Sequence, residues 1–203
     1  MARGPIPPIP LDRLAERYKS SVDLMDRLVG DPYTIQVFAH SEPMTDFYYD
    51  EFYAKAFYNG DPRMKTDNRT KQLARMRIGK RHGCAVCNRS NEEEARHIGF
   101  TTAQVDAMFD NRPDPSLFTD AELAVIELVD QLVHTNPEGW VDHALYDRLR
   151  SNYSDEQIVE LAFVAAIFVG VSKMNIALGM VPRDPVCEFK PRVPAIAITS
   201  ETT

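Results

Sequence analysis

Three times along this chain a hydroxyl residue is followed three positions later by glutamine or glutamate: Thr101 and Gln104, Thr119 and Glu122, Ser154 and Gln157. In each pair the hydroxyl can accept a free backbone N–H one turn on, while the longer side chain reaches back to the first residue's own N–H. Each pair therefore marks a helix start. Leu11, Leu14, Tyr18, Val22, Met25 and Leu28 recur at the spacing of one helix face, closed by Gly30. Asp31 to His40 predicts a shorter helix, and Pro43 to Tyr58 a longer one. The rings of Phe47, Tyr48, Phe52, Tyr53 and Phe57 must be buried, inside the domain or against another subunit. Another helix over about 67–82 leads to Gly83. Only 193–199 looks β-like, and Pro191 and Pro194 demote it. The fold expected is all-α, with about eight helices.

With 203 residues, 44% of them hydrophobic, the chain fits a single domain, 1–203. Its parts read as a Pro-rich N-terminal arm (1–10), N-terminal helices (11–66), a helical core (67–182) and an extended C-terminal tail (183–203). A net charge of −7 argues against a nucleic-acid partner. Arg75, Arg77, Lys80 and Arg81, with His82, read as a solvated helix face. The arm has no apolar stretch of the kind a signal peptide needs. The longest apolar run, Leu161 to Val171, is shorter than the roughly 18 residues of a spanning segment and reads as a buried core helix. A cytoplasmic protein with no membrane partner is expected.

The chemistry-bearing feature is Cys84-Ala85-Val86-Cys87, placed after Gly83 at the start of a helix running toward Gly99. Two thiols one turn apart beside the positive end of a helix have lowered pKa values, which makes thiolate chemistry accessible. Redox work competes here with a zinc half-site and with inert thiols. Zinc needs a second ligand pair, which the sequence lacks, and His82 lies too close to Cys84 to share its metal comfortably. No metal and no cofactor is expected. Cys187 reads as a bystander, His97 and Glu92 to Glu94 as a wet helix face, and His40, His134 and His143 as turn residues.

The stretch from Gln72 to Gly99, with Cys84-x-x-Cys87, Ala95 and the following Thr101-Thr102-Ala103-Gln104-Val105, resembles the core of the alkylhydroperoxidase-D / carboxymuconolactone decarboxylase superfamily. Phe118 to Glu122, Tyr153 to Glu160 and Asn175-x-x-Leu178-Gly179 are similar to the family's last long helices. The resemblance covers roughly residues 67–182. It implies an all-α oligomer in which two thiols cycle between dithiol and disulfide, with Cys87 attacking a peroxide and Cys84 resolving. It also implies a glutamate and two histidines as proton relay, but those positions hold Gln72, Val86 and Asn91. Gln and Asn do not titrate, so they cannot act as general bases at neutral pH. The helix terminus, with Arg81 or His82, is then left to generate the thiolate, and by dipole alone Cys84 is the more acidic thiol. Alternatively, Gln72 and Asn91 orient an organic substrate. Met174 and Asn175 are pocket walls by the resemblance alone.

The leading expectation is a thiol-dependent hydroperoxide reductase acting on a small organic hydroperoxide and reset by an external dithiol. The alternatives are a cofactor-free lyase or isomerase on a small organic acid, and a non-catalytic structural or sensor protein. A homo-oligomer is expected in each case.

Overall fold

In the computed structural model, which describes residues 4–133 and 136–181, every regular element is helical. The β-like stretch 193–199, Cys187, the tail from 183 onward and His134 lie outside the described residues. Nine α-helices follow one another among the described residues: α1 (Lys19–Val29), α2 (Tyr33–Phe38), α3 (Glu42–Asp46), α4 (Asn68–His82), α5 (Ala85–His97), α6 (Thr102–Ala107), α7 (Asp120–Leu132), α8 (His143–Arg150) and α9 (Asp155–Ala177). A π-helix over Phe47–Phe57 continues α3 directly. All three expected capping boxes form, at the starts of α6, α7 and α9.

The centre of the fold is α4, which packs against α5, α7 and α9. It starts where Asp67 accepts the Thr70 backbone N–H at 2.9 Å and ends at Gly83, whose φ of 64° is the left-handed conformation that glycine adopts without a Cβ clash. Leu73, Met76 and Ile78 of α4 join Leu128 of α7 and Leu161, Val164 and Phe168 of α9 in one continuous core. Helix α9 is long and apolar enough to cross a membrane by length and composition alone. In the fold one face of α9, with Leu161, Val164, Ala165 and Phe168, is the core expected of the run Leu161 to Val171, while another, including Val159 and Phe163, is exposed.

The basic cluster is not a solvated face. Arg77 is fully buried: its Nε and Nη2 donate to Asp130 at 2.9 and 2.7 Å, and its Nη1 to the carbonyls of Met108 and Asp110, both at 2.6 Å. Lys80 is buried against Glu92 of α5, and His82 is buried at the end of α4. Arg77 and Lys80 enter the core because carboxylate or carbonyl oxygens compensate them, which spacing alone does not reveal. For the same reason Glu92 is not simply a wet residue.

The helix expected from Leu11 to Leu28 is broken. Short 3₁₀ turns at Leu11–Arg13 and Glu16–Tyr18 are separated by extended backbone at Leu14 and Ala15, and only α1 is regular. The arm overrides local propensity, because its backbone is tied along α2. The Ile9 N–H donates to the Gln36 carbonyl, Gln36 Nε2 donates to the Ile9 carbonyl, and the Tyr33 hydroxyl donates to the Ile6 carbonyl. Leu14 and Tyr18 then close a small core over Ile35 and Ala39. The aromatic segment resolves within the chain: Tyr48, Phe52 and Phe57 are core, Tyr53 is half-buried, and Phe47 and Tyr58 stay exposed.

Candidate active site

Gly83 turns the chain from α4 into α5 so that Cys84 becomes the N-cap of α5 and Cys87 sits in its first turn. The two sulfurs are joined in a disulfide, with Cα atoms 5.2 Å apart. Cys84 Sγ accepts the Cys87 backbone N–H at 3.2 Å, the position a hydroxyl or carboxylate cap would take. The two sulfurs differ in access. Cys84 is fully buried, whereas Cys87 is partly exposed and lines a cavity of about 80 Å³.

That inner cavity is walled by the π-helix, α4, α5 and α9, with Tyr48, Tyr49, Tyr53 and Phe168 supplying rings and Asn91, Ser172 and Asn175 supplying polar groups. It adjoins an outer hollow of about 300 Å³, lined among others by Arg27, Tyr58, Glu93, Glu94 and His97. Tyr49, Tyr53, Arg75 and Ser90 belong to both walls, so they stand between the two hollows. Burial drives the Tyr48 and Tyr49 phenols far above their ordinary range, which keeps both protonated at any physiological pH. They are fixed hydrogen-bond donors and acceptors, not bases.

Arg75 is the cation of this shared wall. Its guanidinium lies 5.3 Å from the Tyr53 ring centre, 5.4 Å from that of Phe57 and 5.6 Å from that of Phe168, a cation–π setting. Its Nη1 donates to Gln72 Oε1 at 3.3 Å. Gln72 Nε2 in turn donates to the Asn91 carbonyl at 3.0 Å, and Asn91 Nδ2 donates to the Arg75 carbonyl at 3.1 Å. The three side chains thereby bolt α4 to α5 beside Cys87. Asn91 Oδ1 and Asn175 Oδ1 are buried acceptors with no hydrogen-bond partner among the described residues. Both residues line the inner cavity, so both acceptors suit a donor on water or on a ligand.

Of the cysteine pair and the relay positions singled out in the sequence, Val86, Cys87 and Asn91 reach the cavity. Cys84 lies behind Cys87, Gln72 is buried behind Asn91, and His82 is buried off the cavity wall. Asn175 lines the cavity and Met174 does not. His97, read as solvent-facing, is exposed at the rim of the outer hollow. Tyr48 and Tyr53 serve as both core and wall. Sequence reasoning missed Arg75, Tyr49, Ser90 and Phe168. The signal for Arg75 was its spacing: with Gln72 and Gly79 it forms one stripe of α4, the stripe that faces α5.

No family model matches the chain. The uncharacterized protein YdfG of Bacillus subtilis (strain 168) is 28% identical to it over 111 residues, 54% of this chain and 74% of YdfG. Among solved structures, the alkylhydroperoxidase AhpD core of an uncharacterized peroxidase-related protein from Ralstonia eutropha JMP134 superposes with a TM-score of 0.67. It is 16% identical and covers 95% of this chain and 97% of its own. The debrominase Bmp8, in a cysteine-to-alanine variant complexed with 2,3,4-tribromopyrrole, gives a TM-score of 0.63 at 16% identity over 86% of this chain and 89% of its own. At such identities these similarities establish architecture. The chain has the all-α alkylhydroperoxidase-D-like fold that its Cys84 to Cys87 stretch and capped helices led us to expect.

Proposed function

We propose that the protein is a thiol-dependent reductase of organic hydroperoxides in which Cys87 attacks and Cys84 resolves. The observation that supports this order is the difference in access: Cys87 lines the cavity, and Cys84, its bonded neighbour, is fully buried. In the reduced protein the Cys87 thiolate attacks the terminal peroxide oxygen. The O–O bond breaks, the sulfur is oxidised to a sulfenic acid, and the alkoxide takes a proton from water to leave as an alcohol. The neutral phenol of Tyr49 is a donor available to that leaving oxygen, whereas that of Tyr48 is hydrogen-bonded to Tyr53. The Cys84 thiolate then attacks the Cys87 sulfur, hydroxide departs as water, and the disulfide forms. An external dithiol attacks Cys87, the sulfur it can reach, and expels Cys84 as a thiolate. Cys84 suits that leaving role because the α5 terminus and the Cys87 N–H stabilise its negative charge.

The wall composition also supports a substrate class. Rings suit a planar apolar body, and the Arg75 guanidinium suits a carboxylate or phenolate on that body. An aromatic hydroperoxide with an acidic group suits both, with its ring in the outer hollow of about 300 Å³, since the inner cavity of about 80 Å³ is smaller than the roughly 150 Å³ that holds benzene. Among the described residues of the inner wall there is no carboxylate and no imidazole, so Cys87 is the one strong nucleophile there. A lyase or isomerase working through Gln72 and Asn91 is less well supported, since Gln72 does not reach the cavity.

Steady-state consumption of an aryl hydroperoxide with a dithiol reductant tests the reading. Cys84→Ser and Cys87→Ser should each abolish turnover, while Gln72→Ala should lower it only by loosening the α4–α5 contact. If either serine variant keeps full turnover, the two-cysteine cycle is wrong. A folded wild type with no activity and no ligand would point to a non-catalytic protein.

A further inference from the structure

Helix α9 shows two faces. Phe168, Val171, Ser172 and Asn175 line the inner cavity, and a second stripe points away from the molecule. Glu156, Val159, Phe163, Ala166, Gly170 and Lys173 follow one another at alternating spacings of three and four, the seam of a coiled coil, and all six are exposed. Val159 is 67% and Phe163 57% exposed. Only 28% of the helix's most apolar stretch is buried within the chain. A Cβ added at Gly170 would meet nothing within 4 Å. A helix-interior glycine costs up to about 1 kcal/mol relative to alanine. No contact within the described chain requires a glycine at this position.

We infer that this stripe is the interface of a two-fold homodimer, with α9 packed antiparallel against the same helix of a second copy. The sequence of the stripe is self-complementary in that arrangement. With the axis passing midway between Phe163 and Ala166, Phe163 faces the partner's Ala166, Val159 faces the partner's Gly170 and Glu156 faces the partner's Lys173. Every large residue meets a small one, and every acid meets a base. An isologous contact repeats each pair twice, so four apolar contacts lie between two terminal ion pairs. Neither Glu156 nor Lys173 has an ion-pair partner within the described residues, which leaves both charges available to a neighbour. Gly170 then has a purpose, since it lets the Val159 side chain and the partner backbone approach closely. The homo-oligomer expected from the aromatic helix and the arms thus has a different surface: the aromatic helix is core, and α9 is the open face. Because the opposite side of α9 forms a cavity wall, pairing would also stiffen that wall.

Sedimentation equilibrium of the full chain at about 10 µM tests the interface. The wild type should sediment as a dimer. Gly170→Leu, which has open space within its own chain, should sediment as a monomer with unchanged far-UV circular dichroism. Glu156→Lys and Lys173→Glu each set like charges opposite one another twice and should weaken the dimer roughly tenfold. The double charge swap should restore it. A wild-type monomer overturns the inference, whether its α9 face is covered by residues 183–203 or takes up neutral phosphatidylcholine vesicles. A dimer indifferent to Gly170→Leu, or a double swap as weak as the single variants, overturns it too.

Discussion

Gly79 of α4 lies directly against Cys87 of α5: a Cβ built at Gly79 would stand 3.7 Å from the Cys87 Cβ. The same added atom would come within 2.9 Å of both Asn88 Oδ1 and Asn91 Nδ2, closer than real Cβ contacts allow. Asn91 Nδ2 cannot simply withdraw, because it is held by the Arg75 carbonyl. Gly→Ala in a helix interior ordinarily stabilises by up to about 1 kcal/mol. Here Gly79→Ala should instead destabilise by about 1–3 kcal/mol through overpacking. It should also slow the reaction of Cys87. Urea unfolding together with a thiol-reactivity assay checks both effects.

Arg75 should discriminate between substrates. Arg75→Gln keeps a polar side chain of similar reach but removes the charge that the Tyr53, Phe57 and Phe168 rings surround. For an aryl hydroperoxide bearing a carboxylate, KM should rise about tenfold or more, the loss of one charge-assisted contact. For the neutral parent compound it should change little. Equal losses for both substrates would mean that Arg75 supports structure rather than recognition.

How far the sequence disclosed this arrangement depends on the range of the interactions involved. Local signals read correctly: Thr101, Thr119 and Ser154 start helices because their partners sit three residues away. The cysteine pair and its helix-terminal position were legible for the same reason. Failures came where a distant residue decided the outcome. Arg77 looked solvent-facing until Asp130, 53 positions on, accounted for its burial. The helix expected at residues 11–28 broke because the arm pairs with α2. The proposed order, with Cys87 attacking, rests on burial, because the dipole argument alone favours the buried thiol.

Acid should expose the role of Glu160. Its carboxylate accepts the backbone N–H groups of Lys65 (3.0 Å) and Thr66 (2.8 Å), tying the loop before α4 to α9. Burial alone would raise its pKa, but these donors outweigh burial and hold it below the usual 4.5. A depressed carboxylate stabilises the fold above its unfolded pKa and loses that contribution as pH falls through the lower folded value. Glu160→Gln should therefore cost about 1 kcal/mol at pH 7, allowing for solvent screening. The gap between variant and wild type should close in melts taken well below pH 4.5. A gap that is independent of pH would contradict the assignment.

The proposed order of attack is tested most directly by trapping the sulfenic acid. Reduced Cys84→Ser protein would be mixed with one equivalent of an aryl hydroperoxide and a sulfenic-acid-specific carbon nucleophile, then mapped by peptide mass against time. The reading predicts a label on Cys87, forming well ahead of free cysteine at the same pH, and a far slower label on Cys84 in reduced Cys87→Ser protein. Labelling of Cys87 no faster than free cysteine, or faster labelling of Cys84, would contradict it.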